Sequence, residues 1–195
     1  MDAVFGAGIL FVSYTGGSVL AGFHPKLGRW SGFGGKCHEN ELYIDTAVRE
    51  VVEEIFGIFS LSPAILSELG KCVVSAPRND GGYMLFIEPI DTLLNMCEVL
   101  RKNAQISPYY QTIPSSLDSI LVPRHVNSSS EISKLLFFAF RDIQDIRYLF
   151  TDEFYQDIQS LYNSYGLSEA PFPKEYMNDI NGFASFFKDM GADDI

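Results

Sequence analysis

Apolar positions follow two rhythms along this chain. Residues 3–14 are almost continuously hydrophobic, with Phe5, Ile9, Leu10, Phe11 and Val12, which predicts a buried strand. Thr15-Gly16-Gly17-Ser18 reads as a turn, and residues 19–23 as the returning arm of a hairpin. A second hairpin is predicted from residues 71–76 and 83–88 around Pro77-Arg78-Asn79-Asp80-Gly81-Gly82. A further strand is predicted over residues 134–140. The helical rhythm is clearest over residues 42–56, where Val48, Val51, Val52 and Ile55 fall on one side. Residues 91–102, with Asp91 as cap, and residues 151–165, with Thr151 as cap and Gly166 as stop, predict two more helices. Ser62-Pro63 opens a helix or turn over residues 61–69. Pro108, Pro114, Pro123 and a serine run predict a long loop or insertion over residues 105–130. Residues 167–195 predict a C-terminal extension with Phe183, Phe186 and Phe187 in helical spacing.

The polar side of the helix at residues 42–56 changes the picture. With Glu50 set at zero, Glu53 and Glu54 lie about 60° before it and about 40° after it, so three carboxylates share one face. Carboxylates at that spacing repel one another, and oxygen-only ligands suit Mg²⁺ or Mn²⁺. An acidic, solvated helix face is the plain alternative. Upstream, Trp30-Ser31-Gly32-Phe33-Gly34-Gly35-Lys36 is rich in glycine, which lets backbone approach a ligand closely. Lys26 and Arg29 are cations near this stretch that could meet phosphate, or simply be solvated.

The chain has 195 residues, 47% of them hydrophobic, enough for one well-buried domain and too apolar for disorder. A net charge of −11 speaks against a long phosphate backbone as partner. Cys37, Cys72 and Cys97 form no CxxC pair, which suits a reducing compartment and gives no zinc pattern. No membrane span is expected, and the expected location is the cytoplasm. Neither the oligomeric state nor the physiological substrate follows from these features.

The spacing of Gly35, Glu41, Arg49, Glu50, Val51, Glu53, Glu54, Gly57 and Ile58 resembles the signature of the Nudix hydrolases. One residue is extra: Ile55 and Phe56 separate Glu54 from Gly57 where the family has a single residue. The resemblance implies an α/β fold, a Nudix-type α/β/α sandwich with a mixed β-sheet, over about residues 3–165. It implies metal ligands at Glu50, Glu53, Glu54 and the Gly35 carbonyl, with Asp80 as an added acid. It also implies an ion pair of Glu41 with Arg49 that orients the helix, and a general base at Glu53 or Glu54. The string Gly28-Arg29-Trp30-Ser31-Gly32-Phe33-Gly34-Gly35-Lys36 is similar to that of the MutT homologues acting on oxidised purine nucleoside triphosphates. Ser31 stands where those enzymes have a base-contacting Asn. Phe150, Thr151, Asp152 and Glu153 fall on their Trp-Pro-Asp-Asp segment, with only Asp152 identical. Trp30, Ser31, Phe33, Lys36, Phe150, Asp152 and Glu153 are thereby implied in substrate binding. The activity implied is metal-dependent hydrolysis of a nucleoside diphosphate linked to another moiety. Alternatives are hydrolysis of capped RNA, dinucleoside polyphosphates or diphosphoinositol polyphosphates, or a catalytically silent binding module.

Overall fold

The computed structural model describes residues 5–13, 17–127 and 130–165. The predicted extension at residues 167–195 lies outside them, as do the predicted helix stop at Gly166 and Thr15 and Gly16 of the first hairpin's turn. Two compact units are distinguished, residues 1–158 and 159–195; the fold described here is that of the first.

The described strands form one mixed, seven-stranded sheet. The buried run gives β1 (Gly6–Ser13) and the returning arm gives β2 (Ser18–His24). The glycine-rich stretch gives two short strands, β3 (Arg29–Ser31) and β4 (Phe33–Lys36). The second hairpin gives β5 (Arg78–Asp80) and β6 (Tyr83–Pro89), and the late apolar run gives β7 (Lys134–Ala139). β1 runs parallel to β6 and antiparallel to β2 and β4.

The middle of the sheet is split. β1 and β2 pair only at Val12↔Val19 and Ser13↔Ser18 before they diverge. Below that point β4 takes the freed edge of β1, from Gly6↔Lys36 to Ile9↔Phe33. β3 takes the edge of β2, from Gly22↔Ser31 to His24↔Arg29. Gly32 is therefore the residue at which the chain crosses from one side of the split to the other. That crossing positions the site.

Alternation along β1 sorts the two faces of the sheet. Ala7, Ile9 and Phe11 point into a core shared with the helices α1 (Tyr43–Phe56), α2 (Pro63–Gly70) and α3 (Ile90–Lys102) and the short helix α4 (Leu117–Leu121). On the other face, Phe138 and Phe150 pack edge to face and Phe154 lies tilted against Phe150, which opens the segment that leads into α5 (Asp152–Tyr165). Val48, Val51, Val52 and Ile55 of α1 are fully buried, and each contributes about 1.5–3 kcal/mol.

Several expectations are revised. Residues 71–76 form no strand, because the buried carboxylate of Glu88 accepts the N–H groups of Val74 (3.1 Å) and Ser75 (2.7 Å) and the Thr92 hydroxyl (2.9 Å). The acid holds this segment as a loop, and the first arm of the hairpin forms instead over Arg78–Asp80, within the stretch predicted to be the turn. Asp91 does not cap α3: Pro89 stands at the cap and Asp91 lies in the first turn. The segment 105–127 is no loose loop, since it carries α4 and buries Tyr109, Tyr110, Ile113 and Ile120 in the main core. Thr151 does open α5, its hydroxyl accepting the N–H of Phe154 at 3.4 Å.

Candidate functional site

α1 ends where the sequence has its extra residue. Gly57 takes up a left-handed conformation (φ 69°), and its N–H donates to the carbonyl of Glu53 at 2.9 Å. This is a glycine C-cap. Any side chain at Gly57 would also meet the ring of Tyr109 at 2.7 Å. The additional residue lengthens α1 at its C-terminus and leaves the carboxylate face in register.

That terminus has a second cap from far away in sequence. Arg124, buried in the segment after α4, donates from one nitrogen to the carbonyls of Glu54 (2.9 Å) and Ile55 (2.8 Å). Its other terminal nitrogen donates to the carbonyl of Ile132 (2.6 Å). Carbonyls at a helix C-terminus lack intrahelical partners and carry partial negative charge, so a cation is favourable there. Burial pulls the Arg124 guanidinium below its ordinary value, with Tyr110, Tyr109 and Glu54 working against the fall.

Arg49 organises the acids. Its Nε and Nη2 clamp Glu41 at 2.8 and 3.0 Å, Nη1 reaches Glu50 at 2.7 Å and Glu53 at 3.3 Å, and Nη2 donates to the carbonyl of Lys36 at 3.1 Å. Glu41 also accepts the N–H of His38 (2.9 Å) and the Thr46 hydroxyl (2.8 Å). Burial alone would raise the Glu41 carboxyl, but these donors outweigh it and hold the group down at about 2. The ion pair implied by the resemblance is therefore formed, and it ties α1 to the end of β4.

Glu50 lies against Gly35, where a methyl group would fall on its carboxylate. Glu54 is nearly buried, and its Oε2 accepts the N–H of Gly34 at 3.2 Å. Burial, followed by the charges of Glu50 and Glu131, raises Glu54 well above the ordinary carboxylate value. Burial also raises Glu53, with Arg49 opposing and Glu50 assisting. Among the described residues, no three His, Cys, Asp or Glu side chains converge as a ready metal cage. The donor chemistry still fits a hard divalent cation: Glu50 and Glu54 lie against Gly35 and Gly34 of β4, Arg49 ties Glu53 to Glu50, and burial disfavours the charged forms of Glu53 and Glu54. Asp80 ends β5, its backbone paired with Tyr83.

A cleft of about 330 Å³ opens at the split in the sheet, lined by Ser31, Gly32, Phe33, Gly34, Tyr83, Leu85, Glu153 and Phe154 among others. Gly34 joins it to the acids. Of the residues implied in substrate binding, Ser31, Phe33 and Glu153 meet here, with Phe33 turned mainly into the core. The other residues are placed elsewhere. Phe150 is 1% exposed and packed against Phe138 and Phe154, so it has no free face for a base. Trp30 is half-buried between Phe23 and Phe138, at ring distances of 5.3 and 5.0 Å. Lys36 is exposed at the end of β4. Asp152 lines a separate depression with Arg29, Arg147 and Tyr148. The sequence reading missed Tyr83, Arg124 and Glu131, none of which carries a spacing signal; each reaches the site through the sheet or through the segment after α4.

No family model matches the sequence, and no curated protein matches it either. Solved structures similar to the chain include a NUDIX-family hydrolase from Clostridium perfringens, at 14% identity and a TM-score of 0.41, covering 87% of this chain and 100% of that one. Another is a bifunctional NMN adenylyltransferase/ADP-ribose pyrophosphatase from Francisella tularensis, complexed with AMP and a manganese ion. It shows 16% identity and a TM-score of 0.42 over 84% of this chain and 42% of that one, so this chain spans less than half its length. A mutator MutT protein from Bacillus halodurans shows 16% identity and a TM-score of 0.37 over 79% of this chain and 78% of that one. At such low identity and TM-score the functional reading rests on the residues of the chain itself.

Proposed function

We propose that this protein is a metal-dependent hydrolase of the Nudix type. It would cleave a phosphoanhydride bond in a nucleoside diphosphate linked to another moiety. A modified purine nucleoside triphosphate is the favoured substrate and the monophosphate the product. One observation carries the reading: Glu54 and Glu50 of α1 lie against Gly34 and Gly35, Arg49 joins Glu53 to them, and Gly34 also lines the cleft with Phe33, Leu85 and Phe154.

Glu50, Glu53, Glu54 and the Gly35 carbonyl would hold Mg²⁺ or Mn²⁺. A bound divalent ion supplies charge neutralisation on phosphate oxygens and lowers the pKa of water. The residues do the rest. Arg49 fixes Glu50 and Glu53 in position from the carbonyl of Lys36 and from Glu41, so these carboxylates need little reorganisation when substrate arrives. Glu53 and Glu54, both shifted upward mainly by burial, are the candidates for the general base. The half-buried ring of Tyr83 and the edge of Leu85 offer apolar surface to a base, while Ser31 and Glu153 offer polar atoms for its edge. The net charge of −11 disfavours long RNA as substrate.

A product screen with Mg²⁺ over nucleoside triphosphates, dinucleoside polyphosphates, capped RNA and diphosphoinositol polyphosphates tests this. The expected products are a nucleoside monophosphate and pyrophosphate, fastest from an oxidised purine. Binding of Mg²⁺ by calorimetry with no product from any substrate would replace the reading with a binding module.

A further inference from the structure

The cleft holds a side chain whose hydroxyl the reading above leaves without a role. Tyr83 opens β6, on the same face of the sheet as Gly6 and Gly8 of the parallel neighbour β1. Its ring lies over β1, where a methyl group on Gly6 would come within about 3.0 Å of it. Its hydroxyl lies over Gly8 and Gly34, close enough that a methyl group on either would collide with it. Gly6 and Gly8 also let β4 come close, since a methyl group on them would strike the carbonyl oxygens of Gly35 and Phe33. The phenol lies over the bare strip of backbone that results.

The hydroxyl donates no hydrogen bond to any described residue, and it lines the cleft. Tyr83 is half-buried and lines the cleft, so its hydroxyl is open to a ligand there rather than spent on the fold. An ordinary phenol is protonated at neutral pH and so remains a donor.

We propose that Tyr83 is a substrate-binding residue whose hydroxyl donates to an acceptor oxygen or nitrogen of the nucleoside part of the ligand. This rests on the function proposed above for the cleft, and it narrows that function. The nucleoside is favoured over phosphate for two reasons. Phosphate already has its place at Glu50, Glu53 and Glu54, where the bound cation would hold it, which leaves the phenol for the rest of the ligand. The cleft around it is lined by Leu10, Leu85 and Phe154, which suit a ring. A ligand with only a donor facing Tyr83 would leave the hydroxyl unpaired and be rejected.

The test uses the whole chain and Tyr83→Phe, which keeps the ring over Gly6 and removes only the hydroxyl. Binding of GMP is measured by calorimetry in the presence of chelator, and binding of tripolyphosphate in the presence of Mg²⁺. Thermal midpoints verify folding. Tyr83→Phe should weaken GMP by about three- to tenfold, the usual worth of one hydrogen bond, and leave tripolyphosphate unchanged. Equal GMP affinity in both proteins overturns the proposal. Equal weakening of both ligands overturns the nucleoside assignment. Nucleotide binding that is lost with the hydroxyl, in a wild-type protein that hydrolyses nothing, upholds the role of Tyr83 and removes the hydrolase. If wild type binds no GMP, the role of Tyr83 falls, whatever the hydrolysis screen shows.

Discussion

At the acid end of the cleft, nearly every polar side chain is tied to another. Arg49 bonds Glu41, Glu50, Glu53 and the Lys36 carbonyl, and Glu54 holds the N–H of Gly34. At the other end, Ser31 makes one long bond to the Gly22 carbonyl (3.5 Å), and the walls are rings and aliphatic groups set by the split of the sheet. The first region is a charge network held in place before any ligand arrives. The second is a shape with few fixed polar contacts. Changes at the acid end should therefore alter rate, while changes at the far end should alter which ligand is chosen. Each prediction below breaks or sharpens that division.

The largest effect belongs to Glu53→Gln. It keeps volume and removes a charge that Arg49 positions, so kcat should fall by about 10³-fold or more, ~4 kcal/mol at the transition state. Chelator should abolish activity in wild type while lowering the thermal midpoint only slightly, since the valine face of α1 stays packed. The ranking among purine substrates should survive whatever activity remains. Steady-state kinetics with direct product detection decides it. Activity within about tenfold of wild type would remove Glu53 from the metal set.

Arg124→Met comes next. It deprives the carbonyls of Glu54, Ile55 and Ile132 of their donor in a buried place. The expected loss is about 3 kcal/mol of stability, or very roughly 6–12 °C in thermal midpoint for a domain of this size. Because Arg124 seats the turn of α1 that carries Glu53 and Glu54, kcat should fall while the order of preferred bases stays as in wild type. A changed base order with unchanged kcat would mean that the two ends of the cleft are coupled through this arginine, and the division would fail.

The acid end was legible in the sequence and the far end only in part, for a physical reason. Glu50, Glu53, Glu54 and Arg49 sit on one helix, where 3.6-residue periodicity fixes their relative directions. Glu41 and Gly35 add fixed spacings around it. The cleft joins β1, the crossing at Gly32, β6 and the start of α5, and no periodicity relates those segments. Phe150 reads in sequence as a free stacking ring, but pairing of its backbone with Trp30 draws it into the aromatic layer. Glu88 shows the same limit: its period places it in a strand, and nothing local says that it will hold Val74 and Ser75 out of one. The strands and helices themselves were largely legible, because continuous burial and amphipathic faces are local patterns.

The smallest effect distinguishes two adjacent acids. Asp152 and Glu153 start α5 side by side in sequence, yet they face different hollows. Glu153 shares the cleft with Ser31, Phe33 and Tyr83, whereas Asp152 lies in the depression with Arg29 and Arg147. If the cleft reads the base, Glu153→Gln exchanges an acceptor for a donor at its edge. The ratio of kcat/KM for 8-oxo-dGTP over dATP should then shift by about three- to tenfold, ~1 kcal/mol. Asp152→Asn should move the same ratio by no more than about twofold, because exposed changes of this kind cost little. Both variants should keep the metal dependence of wild type. Should Asp152→Asn produce the larger shift, the base would sit beside Arg29 and Tyr148, and the far end of the site would have to be redrawn on the other side of β3.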